Sequence, residues 1–250
     1  MRMQWRMAVV ALSLGLLGSG CVSISQVQTA DTLGAGKFQV ALEPGAQGLL
    51  IASKDTTGSL YYPHIDLSVR YGVSDRVDLG ARVGSSLAEL QGKFLFTDPL
   101  NPTLAVSLAP SVGGVFVGSG NNGTTYLNLG VPLLVGFKTS GGSEFVIGPR
   151  LTLTRLSAGS AGSSGSINIL SGGASIGYAL RVTEGFRLMP EVALAYPFLG
   201  ATTATGSESS VAGGFGGGFV QFKLGFLFGQ GRPTAAALAG SGAVNSTRTE

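Results

Sequence analysis

A two-residue alternation of apolar and polar side chains constrains this chain more than any other feature. In YYPHIDLSVRYGVSDRVDLGARVG (residues 61–84), apolar residues occupy every second position over 65–71, and the alternation resumes over 77–83 after a break at VSD. A period of two is typical of a strand with one apolar face and one polar face. The sequence therefore predicts a strand on each side of a tight turn.

The same period recurs along most of the chain and predicts ten strands. Their ranges are 36–50, 61–72, 76–85, 88–96, 103–115, 125–138, 144–156, 168–182, 186–198 and 217–228. Tight connections near 74, 97–102, 139–143 and 183–185 alternate with longer Gly- and Ser-rich segments at 51–60, 118–124, 157–166 and 199–216. The exception is the 86–87 link, which is too short for the longer class. Short turns at one end and longer loops at the other are typical of a transmembrane β-barrel.

The charge content decides which face of these strands points outward. Charged residues are 12% of the chain, against roughly 25% in an average soluble protein. A soluble barrel with an apolar interior needs a densely charged exterior, and this chain has too few charges to supply one. The apolar face is therefore expected to contact lipid, with aromatic residues near both strand ends. We predict an all-β fold, a transmembrane antiparallel up-and-down β-barrel of about ten strands, with about eight to twelve compatible with the pattern.

The first twenty residues have the pattern of an export signal. Arg2 and Arg6 precede an apolar run from Met7 to Leu17 that is too short to span a bilayer as a helix. The run leads into LLGSGC, which ends at Cys21, the only cysteine of the chain. Without the signal, 14 basic residues face 13 acidic ones, so the charge balance indicates no nucleic-acid partner.

The LLGSGC sequence resembles the lipobox of bacterial lipoproteins, and residues 17–228 as a whole resemble a bacterial outer-membrane β-barrel lipoprotein. The resemblance implies cleavage before Cys21, acylation of that cysteine and delivery to the outer membrane, because Val22 rather than Asp follows it. Membrane lipid is then the expected partner, and an even number of strands places both termini on the periplasmic side. The expected organisation is a signal peptide at 1–20, a periplasmic linker with the lipid-anchor Cys21 at 21–35, the barrel at 36–228 and a flexible periplasmic tail at 229–250.

Charged residues on the polar faces are the candidate functional site. They are Asp66, Arg70, Asp78, Arg82, Glu89, Lys93, Lys138, Glu144, Arg150, Arg181, Glu191 and Lys223. A barrel of about eight strands is filled by its own side chains and ten strands add little room, so charges in this lumen are expected to find partners.

Opposite charges on the polar faces suggest a register for two hairpins, since direct cross-strand neighbours favour opposite signs. The predicted pairs are Arg70 with Asp78 and Asp66 with Arg82 in the first hairpin, and Phe137 with Phe145 and Lys138 with Glu144 around TSGGS.

Two features fit a simple barrel poorly. Four prolines fall near strand middles, where a missing N–H needs a bulge: Pro110, Pro132, Pro149 and Pro190. Arg181 and Arg187 would also be close neighbours of equal charge.

The leading functional hypothesis is a non-enzymatic envelope protein, either structural or a narrow channel for small solutes. Basic lumen residues could bias such a pore toward anions: Arg70, Arg82, Lys93 and Arg150. A self-paired network of lumen side chains would instead close it.

Two other hypotheses stay open. A surface hydrolase could use His64, the only histidine, beside Asp66 to activate water. A periplasmic β-sandwich lipoprotein would bury the apolar faces between two sheets. The sequence contains no His/Cys cluster for a metal and no cofactor motif.

Overall fold

The structure is a computed structural model that describes residues 24–52, 57–84, 88–119, 122–160, 163–204, 207–212, 217–229 and 231. Its regular elements are β1 (Phe38–Ala52), β2 (Thr57–Gly72), β3 (Val77–Gly84), β4 (Ala88–Leu95), β5 (Leu104–Leu108), β6 (Ser111–Ser119), β7 (Asn122–Lys138), β8 (Glu144–Ser160), β9 (Ser163–Thr183), β10 (Phe186–Ala204), β11 (Ser207–Ala212) and β12 (Gly217–Gly229). In the part of the chain so described, no helix is both long enough and apolar enough to cross a membrane.

The strands form one antiparallel sheet that closes on itself because β12 pairs with β1. β5 and β6 keep a single register against β7 and together make one barrel strand, and β11 and β12 both pair with β10 and make another. The barrel therefore has ten strands, which confirms the predicted fold class and excludes the β-sandwich.

The faces of the strands point as the sequence predicts. In β2, Leu67 and Tyr71 are 45% and 49% exposed, whereas Asp66 and Arg70 are 6% and 3% exposed. The same alternation continues around the barrel, with Leu, Val, Phe and Tyr outside and charged or amide side chains inside. Polar groups therefore fill the interior, and the exterior is an apolar surface suited to lipid.

The two ends of the barrel differ. At the turn end, short connections such as 73–76, 139–143 and 184–185 join the strands. At the opposite, far end, the strands continue into segments predicted to be loops, so that β8 runs to Ser160 and β10 to Ala204. The prediction of long loops is wrong over these described residues. The hydrogen bonds of an antiparallel pair are made by the backbone, so the strands continue even where the side chains are no longer apolar.

The register of the first hairpin also differs from the prediction. Asp66 faces Gly84 and Arg70 faces Gly80, because the turn is centred one residue later than expected and is closed by Val73 N–H donating to the Val77 carbonyl at 2.8 Å. The predicted pairing of Phe137 with Phe145 and of Lys138 with Glu144 is confirmed, and the two rings lie 6.4 Å apart.

The prolines are accommodated with little disruption. Pro110 lies in the break between β5 and β6, where its carbonyl accepts from Gly92 N–H at 2.9 Å. The other three pair within their ladders without a register shift: Pro132, Pro149 and Pro190. The register shifts of the β9–β10 ladder fall at Phe186/Arg187 and Pro197/Leu199 instead.

The chain before β1 lies inside the barrel. Nine of the ten residues of 24–33, here called the lumen segment, are buried, and Asp31 is partly buried. A turn at Gly34–Gly36, both with positive φ, carries the chain from the lumen to β1 at the turn end. It is fixed by Gly36 N–H donating to the Gly72 carbonyl at 2.8 Å. The predicted periplasmic linker at 21–35 is therefore wrong for residues 24–33.

Candidate functional site

Among the residues that the structure describes, the interior of the barrel carries eleven buried charged side chains, five basic and six acidic. They are Arg70, Arg82, Lys93, Arg150 and Lys223, with Glu43, Asp66, Asp78, Glu89, Glu144 and Glu191. Ten of them belong to the predicted lumen set, and Glu43 adds to it. The two remaining predicted residues, Lys138 and Arg181, lie near the turn end and are partly exposed.

Lys223 belongs to the largest ion-pair cluster of the described residues, which is built around Glu43. Its Nζ lies 3.0 Å from Glu43 Oε2 and 2.5 Å from Asp66 Oδ2, and its side chain is fully buried. Glu43 also accepts from Ser68 Oγ at 2.7 Å and lies 3.8 Å from the guanidinium of Arg70. One cation thus holds two buried carboxylates, which would be costly to leave unpaired.

Further pairs join β3 and β4, and Arg82 connects them to the first cluster because its Nη1 lies 3.8 Å from Glu43 Oε2. Arg82 donates twice to the Glu89 carboxylate at 2.9–3.0 Å, and Lys93 Nζ lies 3.2 Å from Asp78. Both pairs are direct cross-strand neighbours in the observed register. The register shift in the first hairpin therefore changes which strand supplies each partner, but leaves every charge on the polar face.

Basic side chains of the wall bind backbone carbonyls of the lumen segment. Arg82 donates to the Ser25 carbonyl at 2.6 Å, and Arg70 donates to the Gln26 and Val27 carbonyls at 2.9 and 3.2 Å. Lys93 Nζ donates to the Thr29 and Asp31 carbonyls at 3.0 and 2.9 Å, and Arg150 donates to the Ile24 carbonyl. Charge-assisted hydrogen bonds of this kind are among the stronger ones in proteins.

Acidic side chains of the wall bind the N–H groups of the same segment. Glu144 Oε1 accepts from Ala30 N–H at 2.6 Å, and Asp78 accepts from Leu33 N–H at 3.1 Å. Glu191 accepts from Ser25 Oγ at 2.5 Å and from Gln26 N–H at 3.2 Å. The wall therefore binds both carbonyl and N–H groups of the segment's backbone, from one end of residues 24–33 to the other.

Two wall glycines leave the space that the segment fills. A Cβ on Gly225 would lie 2.1 Å from Val27 Cγ1, and a Cβ on Gly136 would lie 2.8 Å from the Ala30 Cβ. Val27 itself has φ near +27°, a strained value for a β-branched residue that persists only where surrounding contacts over-determine it. Shape and hydrogen bonding together hold the segment in one position.

The basic residues proposed as an anion path are all engaged. Arg70, Arg82, Lys93 and Arg150 each bind the lumen segment, and Arg82 and Lys93 also bind wall carboxylates. The described interior is an occupied, self-paired network rather than a line of free cations. A solute could cross it only after the segment moved.

His64 and Asp66 do not form a catalytic pair in this geometry. His64 Nε2 lies 2.9 Å from Gln221 Nε2, and its Nδ1 has no hydrogen-bond partner in the described chain. Asp66 is instead bound by Lys223. Gln221 also donates to Gln47 at 3.3 Å, so the histidine belongs to a polar amide cluster of β1, β2 and β12.

The export signal and Cys21 lie outside the described residues, as does the predicted tail except Gly229 and Gly231. Within the described ranges, no group of three or more His, Cys, Asp or Glu is placed to hold a metal ion.

Sequence reasoning missed Glu43 as a site residue and the lumen segment as a whole. Glu43 lies on the polar face of β1 and shares the alternation of the other charges, so the pattern itself contained the signal. The segment VSISQVQTADTLGAG (residues 22–36) is polar and has no strand period, which is why its composition indicates a linker.

No protein-family model and no curated protein matches this chain. Solved structures with a similar fold include the translocator domain of autotransporter NalP from Neisseria meningitidis, with 13% identity and a TM-score of 0.42, covering 91% of this chain and 95% of that one. Neisserial surface protein A (NspA) has 14% identity and a TM-score of 0.39, covering 78% and 97%. The outer membrane protease OmpT from Escherichia coli has 9% identity and a TM-score of 0.35, covering 82% and 100%. Identities and TM-scores this low do not transfer a ligand, a partner or an activity to this chain.

Proposed function

We propose that this protein is a non-enzymatic outer-membrane β-barrel whose lumen is closed by its own N-terminal segment, and that it conducts small solutes only when that segment leaves. The burial of residues 24–33 among charged wall residues carries the proposal. Because the segment's backbone is bound by seven wall side chains, an open state requires many contacts to break together. They are Arg70, Asp78, Arg82, Lys93, Glu144, Arg150 and Glu191.

The outer face of the barrel supports a membrane location. Large apolar side chains all around it are exposed, and a continuous apolar surface of this kind is stable in lipid rather than in water. The closed sheet has no edge, which satisfies the backbone hydrogen bonds that a bilayer cannot satisfy. Together with the export signal in the sequence, this supports the bacterial outer membrane, with the turn end on the periplasmic side.

A disulfide between the segment and the wall tests the closure. Val27→Cys with Gly225→Cys, in a Cys21→Ser background, joins positions whose side chains would be in contact. In planar bilayers we expect openings of the reduced protein, made more frequent by the Cβ added at position 225, no openings after oxidation, and their return with dithiothreitol. Val27→Cys alone is the control and should not respond to oxidation. Steady conductance that oxidation leaves unchanged would contradict the proposal, and silence in both redox states would assign a purely structural role.

A lipid anchor at Cys21 is part of the proposal, and the geometry limits it. Ile24 packs with Ala195, nine residues beyond the start of β10. This is about 30 Å along the strand. Because the strands tilt by about 40° from the barrel axis, it corresponds to roughly 23 Å along that axis. Three residues reach about 10 Å, so Cys21 itself cannot reach the turn end while the segment fills the lumen, and an acyl chain on it would have to run through the occupied polar lumen to meet the periplasmic leaflet.

Acylation and closure are therefore alternative states. We expect the N-terminal peptide of protein extracted from membranes to carry the mass of a lipid on Cys21, and the acylated protein to conduct more often than Cys21→Ser. An unmodified Cys21 in the mature protein would remove the anchor from the account and leave the closure intact.

We propose no catalytic role for His64 and Asp66, because their hydrogen bonds run to Gln221 and Lys223 rather than to each other. A hydrolytic activity of the purified barrel that is lost in His64→Ala would overturn this.

A further inference from the structure

A cavity of about 650 Å³ opens at the turn end, beneath the lumen segment. Lys138, Arg181 and Arg187 line it together with carboxylates and with the turn residues around 98–103 and 139–142. In the described ranges, neither Arg181 nor Arg187 donates a hydrogen bond to the lumen segment. Arg181 and Arg187, whose like charges fit the predicted barrel poorly, therefore both line this cavity.

Arg181 and Arg187 are direct cross-strand partners between β9 and β10, next to a register shift of that ladder. Like charges directly opposite one another destabilise a sheet unless something lies between them to offset the repulsion. Arg181 Nη2 is 3.4 Å from Glu184, which is exposed at the turn, whereas Arg181 Nη1 is buried and has no hydrogen-bond partner in the described ranges.

The carboxylates that line the cavity have partners elsewhere. Asp31 pairs with Lys138 at 3.1 Å, and Glu144 accepts from backbone N–H groups of the lumen segment. Asp98 accepts from Leu100 N–H within its own turn, and Asp75 from Ala35 N–H. Among the residues that the structure describes, none forms a hydrogen bond with Arg187 or an ion pair with it within 4.0 Å. The described lining holds four carboxylates against three basic side chains, so this mouth offers an anion unused guanidinium N–H donors rather than net positive charge.

We propose that Arg181 and Arg187 bind a small oxyanion, a phosphate or carboxylate group, in this cavity. Two guanidinium groups present planar N–H donors that match the oxygens of such groups, and an anion between them would offset their repulsion. Arg187 lies beside Gly231, and both residues line the cavity. The proposal stands on the arginine pair and does not depend on whether the barrel conducts.

Calorimetric titration of the detergent-solubilised mature protein with inorganic phosphate tests the site. We expect one phosphate per barrel, and no binding of chloride at matched ionic strength. Arg187→Gln and Arg181→Gln should each weaken phosphate binding at least about tenfold. Each removes one charge-assisted hydrogen bond to the phosphate, and the loss of binding free energy from one such bond corresponds to about a factor of ten in affinity. Arg155→Gln, an exposed arginine toward the far end of β8, is the matched control and should bind phosphate as the unmodified protein does.

Arg187→Lys keeps the charge but loses the planar donors, so it should fold like the parent and bind phosphate more weakly. Heat-modifiable gel migration reports whether each variant is a folded barrel. Absence of phosphate binding by the unmodified protein, equal binding of chloride, or full affinity in Arg187→Gln would each overturn the proposal.

Discussion

Replacing Lys223 with methionine will lower the free energy of unfolding by about 3–5 kcal/mol, the usual cost of removing one partner from a buried ion pair. Lys223 is fully buried and lies within 3.0 Å of both Glu43 and Asp66. Its removal leaves two carboxylates in a closed interior, and Asp66 loses the only ion-pair partner that the described residues supply. The expected effect is a large fall in the urea midpoint of the barrel in detergent, followed by circular dichroism.

The matched control removes a positive charge from the outside. Arg155→Met changes an exposed residue of β8 and should alter stability by less than about 0.5 kcal/mol. Combining Lys223→Met with Asp66→Asn should recover part of the loss, because the carboxylate stranded by the first change becomes neutral. A Lys223→Met barrel as stable as its parent would show that water and the arginines near Glu43, rather than Lys223, stabilise the two acids.

Replacing Gly225 with valine will release the lumen segment. A Cβ at this position lies 2.1 Å from Val27 Cγ1, and β12 is paired on both sides, so the segment has to move rather than the strand. Overpacking of this kind costs about 1–3 kcal/mol, which corresponds to a rise of roughly 5- to 150-fold in the released fraction. Thermolysin, which cuts before apolar residues, should cleave within 24–33 faster by a similar factor.

Gly58→Val is the control for the added bulk, since a Cβ on Gly58 meets no atom within 4 Å. It should leave the cleavage rate unchanged. If Gly225→Val were cleaved no faster than the parent, Val27 would not occupy the space beside β12 in solution.

Alternation predicts the strands and their facing because it depends only on local geometry. Successive side chains of a strand point to opposite sides, so residues 65–71 reveal which face each belongs to without any knowledge of neighbours. The low charge content then decides that the apolar face is outside. Both inferences agree with the structure, in which Leu67 is outside and Arg70 is inside.

Register and partners depend on geometry that the alternation does not contain. Charge pairing placed Arg70 opposite Asp78, but moving the centre of the turn by one residue shifts the pairing by two positions and keeps every side chain on its face. The lumen segment was missed for a stronger reason. Its partners lie on strands distant in sequence, such as Asp78 in β3 and Glu191 in β10, so no local pattern marks residues 24–33 as buried.

The most direct test of the occupied lumen is a methyl NOE spectrum of the protein in lipid nanodiscs. A methyl of Val27 and one of Leu227 both lie within 3.0 Å of the same point beside Gly225, whereas Leu151 is 56% exposed on the outer face. We predict a cross-peak between the Val27 and Leu227 methyl groups, and cross-peaks from lipid acyl protons to Leu151 but not to Leu227. Lipid cross-peaks to Leu227, or Val27 methyl groups without any contact to the wall, would contradict the account.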